Sequence, residues 1–459
     1  MKKNIALFGC GYIYEKYRNS IPDENEVAVI LDNDVTYHGT FVDGVKRIYP
    51  REIFDFNIDT VILMSDSAEE MREQLLRLGY DDKKIIHYKE FLGSLTQKRE
   101  AFLCEKKETK TDKSALIISN ELGYHGAPIV VFGMAECMRR MGYSVSVAAS
   151  EGTKAFINEM YQAGVEVLLQ ENLEHASWEN LIWVEKYDIV IVNSLPMAMC
   201  AITISKHKKV MLYLHENPDT YFFMRYWWDE INVCTDSDNI NMCVVSDRAR
   251  ENFRRFFSGK KEIGILPPYV KDIYDRNRLS MNNTVTFAVI GPIMERKGQL
   301  AVLDAIESLK EEPDARFLFI GENPESDYSG RCLKRISGDD HCVYFGEKTR
   351  DEMRDLYQSI DAVIVPSTEE TLSLAAAEAM MMGKVCIVSD HCGIAEYIDN
   401  GKNGYVFPLK NMGMLYEVIE YCIEHKEEMS KIGSRARHTY EEFFSSEVFI
   451  KRMEGILEA

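Results

Sequence analysis

The sequence predicts an α/β protein of three Rossmann-like units, one small and two larger. Three observations predict it. Apolar runs of about four to eight residues recur, each ending at a glycine or polar residue and leading into helix formers, the pattern of parallel strands covered on both faces. At 459 residues the chain exceeds what one core holds, and about three units are expected. It carries no low-complexity tract or short-period repeat, which argues against solenoids and disordered arrays.

Hydrophobic residues make up 46% and charged residues 28% of the chain, as expected of a soluble globular protein. No apolar run approaches the roughly 20 residues of a membrane span. Lys2 and Lys3 before the run Ile5 to Cys10 look like a signal sequence, but the run is too short and reads as a first strand. The 11 cysteines show no metal spacing and sit in apolar segments, which points to reduced, buried thiols and a cytoplasmic location. A net charge of -20 argues against nucleic acid as a partner.

The first unit, residues 1–96, has strands at Asn4 to Phe8, Glu26 to Asp32 and Thr60 to Ser65. Gly9 and Gly11 occupy the first turn and Asp32 the end of the second strand, but Tyr14 replaces the third glycine of the dinucleotide fingerprint. The block ends near Gly93 after three or four strands, so no working NAD site is expected. Asp32-Asn33-Asp34 and Asp236-Ser237-Asp238 are acidic triplets of a kind common by chance, and no metal is assigned to them. Residues 97–113 are charged and read as a partly helical linker.

The second unit, residues 114–273, opens with the strand Ala115 to Ser119 and a loop containing Gly123, His125 and Gly126, before a helix to Met141. Glycines there let a ligand approach the backbone, although a plain strand-to-helix turn needs only one. Two buried strands follow, ending at Asn193 and at His215, where the chain should open into a cleft. Tyr221 to Trp228 holds six aromatics in eight residues, a core segment or a stacking lid. Arg248 to Lys261 reads as a basic helix with interleaved phenylalanines, either solvated or facing an anionic membrane.

The third unit, residues 274–438, starts at the strand Thr284 to Ile290 and continues through Glu295-Arg296-Lys297-Gly298. Its most informative stretch runs from Pro366 to Asp390. Glu370 and Glu378 stand eight residues apart between two apolar strands, Ala362 to Val365 and Val385 to Val388. Helix formers from Leu374 to Met382 end at Gly383, so free amides point into the loop, a ready place for a phosphate. A carboxylate would repel that phosphate, so both glutamates are better read as acceptors for sugar hydroxyls beside it. A solvated acidic turn is the alternative. Gly393 to Glu396 and the glycine pair at Gly401 and Gly404 follow downstream.

In this order and at these distances, the four motifs resemble the donor half of the retaining family-4 glycosyltransferases, which adopt the GT-B fold. The resemblance covers roughly residues 114–459 and is strongest over 284–408. It implies two Rossmann-like domains facing a cleft, preceded by the small additional unit, with a C-terminal helix, 439–459, crossing back to the acceptor domain. It also implies that a nucleotide-diphosphate sugar is the donor substrate, with no cofactor and no metal. Lys297, helped by Arg296, would neutralise the diphosphate, Gly346 would present backbone to the base, and Glu378 would take the ribose hydroxyls. Glu370 and the amides of Thr371, Leu372, Ser373 and Leu374 would hold the sugar and phosphate.

Gly123, His125, Gly126 and His215 would line the acceptor side, and Glu370, Lys297 and His215 form the expected catalytic set. Two positions depart from the family pattern. Pro292 stands where an arginine is frequent, and Leu372-Ser373 replaces the usual Phe-Gly pair. The implied reaction is sugar transfer with retention to a glycan or lipid-linked acceptor in surface polysaccharide biosynthesis, with peripheral contact at the inner membrane face. The first unit resembles small Rossmann-like domains fused to polysaccharide-biosynthesis enzymes. Two other functions remain open: a nucleotide-sugar-binding scaffold, and a sugar-nucleotide epimerase. No oligomeric state follows.

Overall fold

A computed structural model describes residues 2–65, 68–95, 98–102, 113–259, 261–274, 284–309 and 313–458. The first unit holds β1 (Lys3–Phe8), β2 (Asn25–Leu31), β3 (Phe41–Val42), β4 (Val45–Ile48), β5 (Thr60–Leu63) and β6 (Ile85–His87), in spatial order β3-β4-β2-β1-β5-β6. Six strands exceed the three or four expected, because β3, β4 and β6 are too short to register as apolar runs. Asp43 and Gly44, left-handed at φ 51° and 81°, make the two-residue turn of the β3–β4 hairpin, as an Asp-Gly pair favours.

The second unit holds β7 (Arg99–Phe102), β8 (Ser114–Leu122), β9 (Ser144–Gly152), β10 (Glu166–Gln170), β11 (Ile189–Asn193), β12 (Val210–Leu214), β13 (Ile240–Val244) and β14 (Gly264–Ile265), in order β14-β13-β12-β11-β8-β9-β10-β7. The presence of β7 corrects the linker expectation. Residues 99–102 pair antiparallel with β10, and their charged, exposed character suits an edge strand rather than a helix. Residues 103–112 of that stretch lie outside the described residues. The third unit holds β15 (Val285–Ile290), β16 (Ala315–Ile320), β17 (Cys342–Gly346), β18 (Ala362–Val365), β19 (Val385–Ser389) and β20 (Tyr405–Phe407), in order β17-β16-β15-β18-β19-β20. Its pairings are all parallel, so the loops that carry chemistry gather at the carboxyl ends of the strands.

The three units are packed together. One apolar cluster runs from the second unit into Leu372, Ala376, Ala377 and Met380 of the third, so the helix Leu374–Met381 lies in a shared core. The first unit docks on the second through Gly93, where any Cβ would lie 2.1 Å from the His175 carbonyl oxygen. Asn180 Nδ2 donates to the carbonyls of Gly93 and Leu95 at 3.1 and 2.7 Å, and the Tyr17 hydroxyl donates to Glu174 at 3.2 Å. The carboxyl end crosses back as two helices, Lys426–Phe443 and Ser446–Glu458. The first lies beside the connection from the second to the third unit, with Val270 N–H donating to the Phe444 carbonyl at 3.0 Å and the Tyr440 hydroxyl to the Val270 carbonyl at 2.8 Å. The second reaches the helix Gly126–Arg140, where Arg140 pairs with Glu447 at 2.8 Å.

Candidate active site

After β15 the chain makes one tight turn over Glu295–Lys297 and reaches Gly298, left-handed at φ 72°. A Cβ there would lie 2.2 Å from the Pro366 carbonyl oxygen, so only glycine lets this turn press against the end of β18. That approach delivers Arg296 and Lys297 to the loop after β18. Lys297 Nζ pairs with the Glu370 carboxylate, and Arg296 Nη1 reaches the same oxygen at 3.3 Å and the Glu369 carbonyl at 2.9 Å. Burial acts to raise the Glu370 carboxyl, but Lys297 and then Arg296 outweigh it and hold it below the ordinary value.

The backbone of Glu370 is fixed on both sides, its N–H donating to the His391 carbonyl at 3.1 Å and its carbonyl accepting from Gly393 N–H at 2.9 Å. Beyond it, Ser373 stands at φ 95°, and its Oγ caps the helix by accepting from Ala376 N–H at 3.3 Å. A glycine would hold that backbone without strain, which gives the Leu372-Ser373 departure a structural meaning. The first amides of the helix Leu374–Met381 have no partner within the helix and face the loop. Glu378 stands apart from the cations. Burial raises its carboxyl, and the Tyr357 hydroxyl donates to it at 2.9 Å. Gly346, at the end of β17, is left-handed at φ 67° with open space where a Cβ would point.

The second unit meets this loop directly. Thr371 Oγ1 donates to the His215 carbonyl at 2.7 Å, and Ser246 Oγ donates to the Thr371 carbonyl. Arg248 Nε and Asn252 Nδ2 each donate to Glu369 Oε1 at 2.9 Å. His215 Nε2 lies 2.6 Å from Asn193 Oδ1, and burial lowers the imidazole to about 3, so the ring is neutral. Glu216 accepts from the amides of Leu195 and His215, each at 2.8 Å, while burial pushes its carboxyl up to about 7.

Of the expected residues, Arg296, Lys297, Glu370, Thr371 and His215 are therefore joined through direct contacts. Gly123, His125 and Gly126 lie on a separate loop, where His125 pairs with Glu121 at 3.4 Å. That loop has its own bridge to the third unit, because Glu159 accepts from Tyr124 at 3.1 Å and from Arg350 at 3.0 Å. Sequence reasoning noted Asn193 as a strand end and Arg248 as part of a basic helix without giving either a place in the site, and it missed Asn252, Tyr357, Glu369 and Arg350. Only their partners, distant in sequence, reveal them.

The aromatic segment divides. Tyr221 is buried and stacks on Phe256 at 5.0 Å, whereas Phe222 and Phe223 are 56% and 77% exposed. The side chain of Tyr226 lies outside the described residues. Trp227 meets Lys89 of the first unit at 4.8 Å, which carries the docking surface up to this segment. In the helix Asp247–Phe256, Phe253 is buried and Arg248 is taken by Glu369, leaving Arg254 and Arg255 exposed. Lys260 lies outside the described residues. Among the described residues, no group of three or more His, Cys, Asp or Glu side chains is placed to hold a metal, and no helix is long and apolar enough to cross a membrane.

Comparison with known proteins fits this layout. Residues 271–439 match the family described as glycosyl transferases group 1, residues 111–248 glycosyl-transferase family 4, and residues 1–86 a domain described as C2185-like, N-terminal. The chain is 27% identical over 155 residues to the N-acetyl-alpha-D-glucosaminyl L-malate synthase of Bacillus anthracis, covering 34% of this chain and 40% of that one. It is 30% identical over 151 residues to the lipopolysaccharide 1,2-N-acetylglucosaminetransferase of Salmonella typhimurium, covering 30% and 39%. The match thus spans about two fifths of the length of these curated relatives. Among solved structures, HepE of Anabaena in complex with UDP and glucose aligns with a TM-score of 0.64 at 16% identity, covering 75% of this chain and 99% of that one. The two larger units have the GT-B fold.

Proposed function

We propose, from the premise that this chain belongs to the group 1 glycosyl transferases of GT-B fold, that it moves a sugar from a nucleotide-diphosphate donor to a hydroxyl of a glycan or lipid-linked acceptor, with retention at the anomeric carbon. The observation that carries this reading is the cluster of Lys297 and Arg296 on Glu370, in the loop that leads into the helix Leu374–Met381 and tied through Thr371 to His215. An incoming diphosphate competes with Glu370 for the two cations. Once they turn to the phosphate, Glu370 is free to accept sugar hydroxyls.

As the glycosidic bond breaks, charge grows on the leaving diphosphate. Lys297 and Arg296, once turned from Glu370, would stabilise it together with the helix amides, without a metal or a cofactor. Among the described residues no side chain is assigned as a covalent nucleophile, so on this reading the acceptor attacks from the face the diphosphate leaves, and a phosphate oxygen takes its proton. Glu378 and Gly346 serve the ribose and base, and the loop of Gly123, His125 and Gly126 serves the acceptor. Exposed Phe222 and Phe223, with exposed Arg254 and Arg255 on the helix whose Phe256 touches Phe222, suit peripheral contact with an anionic membrane carrying the acceptor. The UDP complex of the HepE neighbour makes uridine donors the first to try, and the likeness to the lipopolysaccharide glycosyltransferase of Salmonella typhimurium makes surface polysaccharide the first acceptor class.

The test is a panel of nucleotide sugars screened for thermal stabilisation, followed by diphosphate release and NMR of the product anomer. Stabilisation by one donor, with acceptor-dependent release and a retained anomer, is expected. Inversion would remove the mechanism. Product made without acceptor would make the protein an epimerase, and binding without turnover would make it a scaffold.

A further inference from the structure

Asn193 ends β11 completely buried, whereas His215, just past the end of β12, keeps part of its surface exposed. The strands pair in parallel with Asn193 opposite Tyr213, which brings the asparagine amide beside the imidazole. His215 is held at three points. Its N–H donates to Glu216, its carbonyl accepts from Thr371, and its Nε2 lies 2.6 Å from Asn193 Oδ1. That amide oxygen can only accept, so Nε2 carries the ring proton. Nδ1 is then an unprotonated acceptor with no partner among the described residues.

Asn193 gains little by being an asparagine for packing alone. Its Nδ2 is buried and has no partner among the described residues, an arrangement that costs stability unless the amide has another task. Ser194, next in the chain and just past the end of β11, stands at φ 79°, a strained non-glycine backbone like that of the helix cap Ser373.

Resting on the sugar-transfer reading above, we propose that Asn193 is a positioning residue: it fixes the proton of His215 on Nε2, so that Nδ1 is presented to the cleft as an acceptor for a hydroxyl of the transferred sugar or the acceptor. A neutral ring with a set tautomer distinguishes a hydroxyl donor from a bare oxygen. A charged or mobile ring does not.

Ring-nitrogen NMR of histidine-labelled protein tests the pairing without any substitution, with His215→Gln to assign the signal. A neutral ring protonated on Nε2 is expected at pH 6. Protonation on Nδ1, which a rotated Asn193 amide would impose, overturns the proposal. In turnover assays, Asn193→Ala is expected to lower kcat/KM about 10- to 100-fold, as loss of a partner that orients a histidine does elsewhere. It should add almost nothing in a His215→Ala background, because the two residues act as one unit. Independent, multiplying losses would make Asn193 merely structural and overturn the proposal.

Asn193→Asp keeps the acceptor oxygen but adds an anion, which draws a second proton onto the ring. Its rate should therefore acquire a new fall as pH drops between 8 and 5, and an unchanged pH profile also counts against the proposal. If no nucleotide sugar is turned over at all, the transfer reading fails, while the NMR result still decides the Asn193–His215 pairing.

Discussion

The two walls of the cleft each bury a glutamate, and they hold it in opposite ways. On the third unit, Glu370 meets Lys297 and Arg296, which keep its carboxyl below the ordinary range despite burial. On the second unit, the hydrogen bonds that Glu216 accepts among the described residues come from backbone amides, and burial pushes its carboxyl up to about 7. Two N–H dipoles do not replace the hydration of a carboxylate, whereas two full cations do. The difference sets a division of labour. On the proposed reading, the third unit would receive the anionic donor, and the second would offer groups suited to hydroxyls.

The largest effect that could break this contrast is on turnover. Lys297→Ala and Glu370→Ala are each expected to lower kcat at least about 100-fold, since each removes charge or positioning present in the transition state. Near-normal rates in both variants would remove the donor side from the third unit.

Next is the pH dependence of folding. Glu216 has a folded value raised from 4.5 to about 7, so the folded protein binds more protons than the unfolded chain across that window, and stability falls as pH rises through it. At about 1.4 kcal/mol per unit, the fall attributable to this group is at most about 3.5 kcal/mol. Melting curves of Glu216→Gln between pH 5 and 8 should be flatter than those of the parent. Glu370 has the opposite sign, because its lowered carboxyl contributes stability above about pH 4.5 that is lost as pH falls below it.

A smaller effect concerns the outer bridge. Arg350→Ala frees Glu159 at the cleft mouth and is expected to raise the donor KM up to about fivefold, with kcat little changed, as befits a half-exposed ion pair. Initial-rate kinetics would reveal it, and a large loss of kcat would instead place Arg350 at the chemistry. Smallest is Ser373→Gly. Releasing the φ of 95° at the loss of a helix cap should raise stability by about 0.5–1 kcal/mol, read as a rise in melting temperature.

Legibility followed sequence distance. Glu370, Lys297 and Gly298 could be read because each sits in a local pattern of strand, tight turn and helix, and the period of the apolar runs located the strands around them. Glu369 could not, since its partner Arg248 is 121 positions away and nothing near either residue announces the pair. The β3–β4 hairpin carried a readable Asp43-Gly44 signal that strands of two and four residues were too short to support. The aromatic segment was ambiguous for a different reason. Composition cannot separate Tyr221, buried against Phe256, from its exposed neighbours Phe222 and Phe223, because that depends on which face of a short helix meets the core.

The chain passes between the second and third units twice, and the two crossings lie side by side where Val270 bonds to Phe444 and Tyr440. Two neighbouring crossings tie the units together more firmly than one would, because a rotation about either segment of chain is opposed by its bonds to the other.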